Sequence, residues 1–487
     1  MPGASPQATE GNAALTFDTL TFVLFLISVL AVVGITTSWR VKKRELLVAS
    51  YLFYAAWNPV FVSLLIISTV VDWFAARGMA RATVESARKR WLVASLTVNL
   101  GMLGYFKYAD FLIDNLNRLG LWMGLGSRFE VPALDLILPI GISFYTFQTL
   151  SYTIDVYRRR VVPGRDFLDY ALFVSFFPQL VAGPIVRYEQ FIGQLKSPRR
   201  ASSADFEIGA ALIVFGLVLK SVLADSLFAP VVDAGFAAHA ETGLIQAWTA
   251  VLGFSGQIYC DFAGYSLCAI GAARLFGFRL PKNFHAPYAA IGFSEFWQRW
   301  HISLSSWIRD YLYIPLGGNR SSTARTFRNL VLTMGLGGLW HGAAWTFVLW
   351  GLLHGIYLVV EHGLRRLLGT VDWLASRPML LVYALLTFTA VSLAWVLFRA
   401  EQLAQAMDLY QAMFGLTGRG QLPSVAEAMV LIAIAFMLLW HGLLRQRELE
   451  NIYAACAWPL RAIMLGLGLA LVLMSPGEDR AFIYFQF

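Results

Sequence analysis

Long apolar runs recur along the whole chain, separated by short polar and basic stretches. The runs 18–35, 91–106, 206–230, 379–398 and 459–474 each approach or pass the ~20 residues that a helix needs to cross the hydrocarbon of a bilayer. They do not alternate polar and apolar positions as barrel strands would. Backbone groups in lipid must be satisfied within their own segment, so these runs predict helices. Polar interruptions near 77–90, 113–133, 186–205, 276–328 and 399–426 divide the chain into about eleven to thirteen hydrophobic helices, some too short to cross fully. The pattern predicts an all-α, polytopic membrane bundle, one integral domain over 1–487, with a polar tail at 1–16 and no internal repeat.

Two stretches depart from the plain alternation of span and loop. In "SEFWQRWHISLSSWIRDYLY" (294–313), Trp297, Trp300, Leu304, Trp307 and Tyr311 recur at spacings of three and four. That spacing predicts one amphipathic helix with an aromatic face. Ser294 is its expected N-cap, with Glu295 in the first turn where the helix dipole favours an acid. Pro315, Gly317 and Gly318 end it. Periodicity alone suggests an anchor lying in the membrane interface. In "SFFPQLVAGPI" (175–185), two prolines and a glycine interrupt an apolar run. Broken helix at membrane depth is tolerated where protein buries it or where it lines a cavity.

Composition supports the membrane reading. The chain is 58% hydrophobic and 14% charged, whereas a soluble domain carries about 25% charged residues. The formal charge of +8 raises the question of nucleic acid. Its distribution answers otherwise, because the basic residues cluster in short loops beside spans: "RVKKR" (40–44), "RKR" (88–90), "YRRR" (157–160) and "KSPRR" (196–200). Such loops mark the cytoplasmic side. Read in order along the chain, they put the N-terminus on the extracytoplasmic side, and 276–328 is expected as a cytoplasmic-side segment. The first sixteen residues hold one Glu and neither Lys nor Arg, so no basic signal-peptide region precedes the first span. Cys260, Cys268 and Cys456 form no CxxC pair and are expected as free thiols.

Candidate chemistry is sparse. No HExxH, GxSxG, phosphate-binding loop or dinucleotide fingerprint occurs, which disfavours soluble-type hydrolases, nucleotide enzymes and a metal site. His341 is the exception, an imidazole inside "GGLWHGAAWTFVLWG" (337–351), which holds neither acid nor base. Away from water an imidazole stays mostly neutral. A neutral imidazole can accept the proton of a hydroxyl. His354 follows thirteen residues later, ~220° around an unbroken helix, so the two make a poor local pair. Its expected role is a helix–helix hydrogen bond. His301 can reach His341 only through tertiary folding.

At this point the residues resemble a known family. "EFWQRWHISLSSWIRDYLYIPLGGNR" (295–320) followed by "LWHGAAWTFVLWGLLHG" (339–355) is similar to the membrane-bound O-acyltransferase family. Within it, the likeness is to the bacterial branch that holds the alginate O-acetylation membrane subunit. "ISFYTFQTLSYTIDVYR" (142–158), "FFPQLVAGPIVR" (176–187), "YCDFAGYSLCAIGAARLFGFRLPKNFHAPY" (259–288) and the final "FIYFQF" (482–487) extend it over roughly 45–487. The resemblance implies a helical bundle around a transmembrane tunnel, with His341 as the catalytic histidine and His301 as its polar companion. It implies acetyl-CoA as the acyl donor, met from the cytoplasm, with no bound cofactor and no metal. Arg299, Lys282 and Arg279, with Arg274, are candidates for the coenzyme phosphates. An envelope or secreted polysaccharide acceptor and an extracytoplasmic acetyltransferase partner are implied too. Asp261 is an intramembrane acid expected to pair with an arginine. A teichoic-acid D-alanyl transfer subunit is the near alternative. A transporter is the rival of another class, against which the missing repeat counts.

Overall fold

A computed structural model describes residues 15–125, 130–181, 183–320, 322–368, 376–418, 422–475, 480, 482 and 483. The polar tail up to 14 and the last four residues of "FIYFQF" lie outside the described residues. The described residues form helices and no strand, as the apolar pattern predicts. Five helices are long and apolar enough to cross a membrane: Phe61–Arg81, Ser203–Ala237, Trp345–Leu367, Arg377–Arg399 and Val425–Leu444. Leu20–Ile35 and Trp458–Met474 are shorter apolar helices. This is a multi-pass membrane protein. Cys260, Cys268 and Cys456 are free thiols.

The elements that build the interior are, in chain order, α1 (Glu85–Leu103), α2 (Ala109–Trp122), α3 (Ile142–Tyr157), α4 (Ser203–Leu217), α5 (Leu244–Leu275), α6 (Phe293–Arg299), α7 (Ile302–Ile308), α8 (Thr323–His341), α9 (Trp345–Leu368) and α10 (Arg377–Arg399). A π-helical turn, Gly104–Tyr108, joins α1 to α2, and a longer π stretch, Val218–Phe228, follows α4. Apolar helices in lipid gain little from hiding apolar surface from one another, so small residues that permit close approach decide which helices pair. A Cβ on Gly351 of α9 would sit 2.3 Å from the Met334 carbonyl oxygen and 3.0 Å from Gly338 Cα of α8. A Cβ on Gly216 of α4 would sit 2.5 Å from the Gly264 carbonyl oxygen of α5. The α8–α9 and α4–α5 pairs are therefore backbone against backbone.

The structure corrects the single amphipathic helix expected over 294–313. The chain forms α6, breaks at Trp300 and His301, resumes as α7 and ends in a π turn, Arg309–Tyr313. Gly292, at φ 98°, caps α6 in place of Ser294. His301 sits at φ 43°, ψ 54°, a left-handed conformation that costs a non-glycine residue of order 1–3 kcal/mol. The aromatic face is not an interfacial anchor. Trp300, Leu304, Trp307 and Tyr311 are all buried, and Trp307 stacks on Phe147 of α3 with centroids 3.8 Å apart. The broken reading of 175–185 agrees with the structure. One helix ends at Ser175, a four-residue turn covers Phe177–Leu180, and Val181 lines two clefts. Gly141 closes against this break. Its φ is 73°, and a Cβ there would meet the Leu180 carbonyl oxygen at 2.6 Å.

Candidate active site

His341 is the last residue of α8, and Gly342 turns the chain toward α9. The close α8–α9 approach holds that corner rigidly, since a Cβ on Gly342 would fall 2.1 Å from the Phe347 ring. The imidazole is 3% exposed. Aromatic rings surround it: Trp340 at 5.0 Å, Trp350 at 5.1 Å and Phe398 at 5.4 Å between centroids. His301 is fully buried, and its ring centroid lies 6.4 Å from that of His341. Residues forty positions apart are thus brought together where the two hydrophobic cores of the molecule meet. Trp340 belongs to one core, and Trp300 and Trp350 to the other.

Asn283 holds His301. Its Oδ1 accepts from His301 Nδ1 at 3.0 Å and from Ser303 Oγ at 2.8 Å. Its Nδ2 donates to Ser266 Oγ at 3.2 Å. Because the amide nitrogen is engaged as donor, the network assigns the imidazole proton to Nδ1 and leaves the lone pair on Nε2. Ser303 follows His301 by two residues, and Asn283 lies in the loop after α5. The strained backbone at His301 is therefore fixed by the Asn283–Ser303 pair.

A cleft of about 440 Å³, its open mouth included, reaches His341 and Trp340 past Lys107, Gly141, Phe144 and Val181. A second cleft of about 380 Å³ shares Ile140 and Val181 with it and is walled by Phe53, Tyr54, Trp57 and Tyr265. Sequence reasoning missed Lys107 and Asn283. A lysine within an apolar stretch is itself a functional signal, and "GYFKYADF" carried it. Asn283 had no local signal, because its partner is eighteen residues away.

The remaining predicted residues fall elsewhere. His354 and His341 both contact the Trp350 ring, at 4.8 Å and 5.1 Å between centroids. The expected helix–helix hydrogen bond is absent, since neither ring nitrogen of His354 has a partner among the described residues. Asp261 pairs with Lys220 at 2.8 Å, not with an arginine, and Lys220 also meets Asp225 at 2.9 Å. The four basic candidates lie outside the histidine cluster. Arg299 pairs with Glu295 at 2.8 Å, Lys282 with Glu448, and Arg274 with Asp205 and Glu450. Arg279 has an exposed side chain, with only its backbone held by Gln194. Burial alone would raise the Glu295 carboxyl. The Ile291 N–H, Arg445 and Arg299 outweigh it and hold the group below the usual range. Among the described residues no cluster of His, Cys, Asp and Glu could hold a metal ion.

Comparison with known proteins adds a family match and three relatives. Residues 163–399 match the family model of MBOAT, the membrane-bound O-acyltransferase family. The chain is 44% identical to a probable alginate O-acetylase AlgI of Azotobacter vinelandii, over 81% of this chain and 78% of that protein. It is 41% identical to a peptidoglycan O-acetyltransferase of Helicobacter pylori, over 77% of this chain and 74% of that one. A teichoic acid D-alanyltransferase of Streptococcus thermophilus is 31% identical, over 48% of this chain and 59% of that protein.

Proposed function

This chain belongs to the membrane-bound O-acyltransferase family and is an O-acyltransferase, and from that premise we propose that it moves acetyl from cytoplasmic acetyl-CoA across the inner membrane. The acyl group is destined for hydroxyls of an envelope or secreted polysaccharide of the alginate type. The observation that carries the site assignment is the meeting of His301 and His341, 6.4 Å apart, at the end of a cleft. Greater identity to O-acetylating relatives than to a D-alanyltransferase favours acetyl.

In the proposed step the acceptor hydroxyl oxygen attacks the thioester carbonyl carbon while His341 takes the hydroxyl proton. The carbonyl π electrons move onto oxygen. On collapse the C–S bond breaks, and His341 passes its proton to the departing thiolate. His301, its own proton fixed toward Asn283, orients the reacting groups. The ring cage of Trp340, Trp350 and Phe398 keeps out water, the competing nucleophile. Arg279 is the best placed of the four basic candidates for the coenzyme phosphates, because Arg299, Lys282 and Arg274 already hold carboxylates. In this reading the N-terminus lies on the extracytoplasmic side, which the basic loops favour, and an extracytoplasmic partner protein completes transfer to the polymer.

The test is acetyl-ester content of secreted and envelope polysaccharide in a null strain carrying wild type, His341→Ala or His301→Ala at equal membrane levels. Wild type restores the esters, and His341→Ala lowers them at least about 100-fold. Full restoration by His341→Ala overturns the assignment.

A further inference from the structure

We propose that Lys107 is a catalytic residue, its ammonium stabilising the oxyanion that forms at the acyl carbonyl during transfer; this rests on the reading of His341 given above. The last carbonyls of a helix lack partners within it and carry the negative end of its dipole. In α8 those carbonyls belong to Leu339, Trp340 and His341. The π turn Gly104–Tyr108 presents two successive side chains to them. Lys107 Nζ donates to the Trp340 carbonyl at 2.8 Å and to the His341 carbonyl at 2.9 Å. Tyr108 Oη donates to the Leu339 carbonyl at 2.9 Å. The Lys107 ammonium also stands 5.9 Å from the Trp340 ring centroid, over its face.

A π turn inside a helix is uncommon and tends to occur at functional positions. Here its effect is to fix a cation on the residue that carries the base. No carboxylate among the described residues pairs with Lys107, whereas Lys43 and Lys282 each hold one and Lys220 holds two. The two carbonyls at the negative end of α8 favour the ammonium and engage two of its three N–H donors, so one donor remains. Lys107 and His341 line the same cleft, and of the side chains lining it Lys107 is the one cation. A neutral imidazole can take the hydroxyl proton but supplies no positive charge to the carbonyl oxygen before it does so. Lys107 supplies it. As the hydroxyl oxygen bonds to the carbonyl carbon, the π pair moves onto oxygen beside the ammonium. The pair returns when the C–S bond breaks, and Lys107 keeps its protons throughout. Groups fixed where charge develops act most strongly where water is excluded.

The test uses the full chain in membrane vesicles, with acetyl-CoA as the varied donor and ester formation on the host polysaccharide fraction as readout. Lys107→Met is expected to lower kcat about 100-fold or more with KM for acetyl-CoA within about threefold. Lys107→Gln keeps N–H donors for the two carbonyls but no charge, and is expected to stay within about threefold of Lys107→Met. Lys107→Arg restores charge and is expected to regain about tenfold or more over Lys107→Met. A Lys107→Gln enzyme within about threefold of wild type makes Lys107 a clamp on α8 and overturns the proposal. So does a fully active Lys107→Met, or failure of all three variants to reach wild-type membrane levels. His341→Ala is run alongside. If it is dead while Lys107→Met is active, only the lysine assignment falls. If His341→Ala is active, the reading beneath it falls.

Discussion

Replacing Asn283 by alanine separates the chemistry of His301 from its packing. Asn283 is 1% exposed and accepts from His301 Nδ1 and Ser303 Oγ through one oxygen. Alanine leaves both donors buried without that acceptor. A stranded buried donor costs about 1–3 kcal/mol, so Asn283→Ala should cost about 2–4 kcal/mol after local relaxation. The catalytic effect is a different quantity. The hydrogen bond that keeps the proton on Nδ1 is worth about 1–1.5 kcal/mol, close to a factor of ten in the ratio of tautomers. We therefore expect kcat, normalised to folded protein, to fall about tenfold. Asn283→Asp keeps an acceptor for both donors and loses the bond to Ser266. It should lower stability while holding kcat within about threefold of wild type. Thermal melting of the solubilised protein reports the first quantity, and acetyl-CoA turnover in vesicles the second. An Asn283→Ala enzyme with kcat within twofold of wild type would refute the tautomer argument, whatever its melting temperature.

Two further outcomes follow from the ion pairs. Lys220 is buried between Asp225 and Asp261, so Lys220→Met strands two carboxylates and should cost about 3–5 kcal/mol. Adding Asp225→Asn and Asp261→Asn should recover most of the lost melting temperature, and a single variant that melts like wild type would contradict the pairing. Glu295 has a folded-state carboxyl below its ordinary value of 4.5, because the Ile291 N–H, Arg445 and Arg299 outweigh its burial. A depressed acid contributes stability above its unfolded value and loses it as pH falls through the folded value. Thermal melts between pH 6 and pH 3 should therefore show wild type losing more than Glu295→Gln below about pH 4.5, and parallel acid limbs would count against it.

What could be read in the chain depended on whether a signal was local. Bundle class and the odd character of His341 were legible, because both rest on which residues adjoin in sequence. The smooth three-and-four spacing over 294–313 hid the break at His301. Periodicity records which side chains want burial, and Trp300, Leu304 and Trp307 obtain it from protein on either side of the break. The arginine expected for Asp261 was a lysine forty-one residues upstream, since a partner in a neighbouring helix leaves no trace at the acid itself.

The same distinction bears on how the site is made. His341 needs the α8–α9 glycine contact to hold its corner, and Lys107 needs the π turn to reach that corner. His301 needs Asn283 to keep its strained backbone and its tautomer. Both histidines are held by contacts from neighbouring helices and loops. Variants at Gly351, Lys107 or Asn283 should therefore damage acyl transfer while leaving both histidines in place.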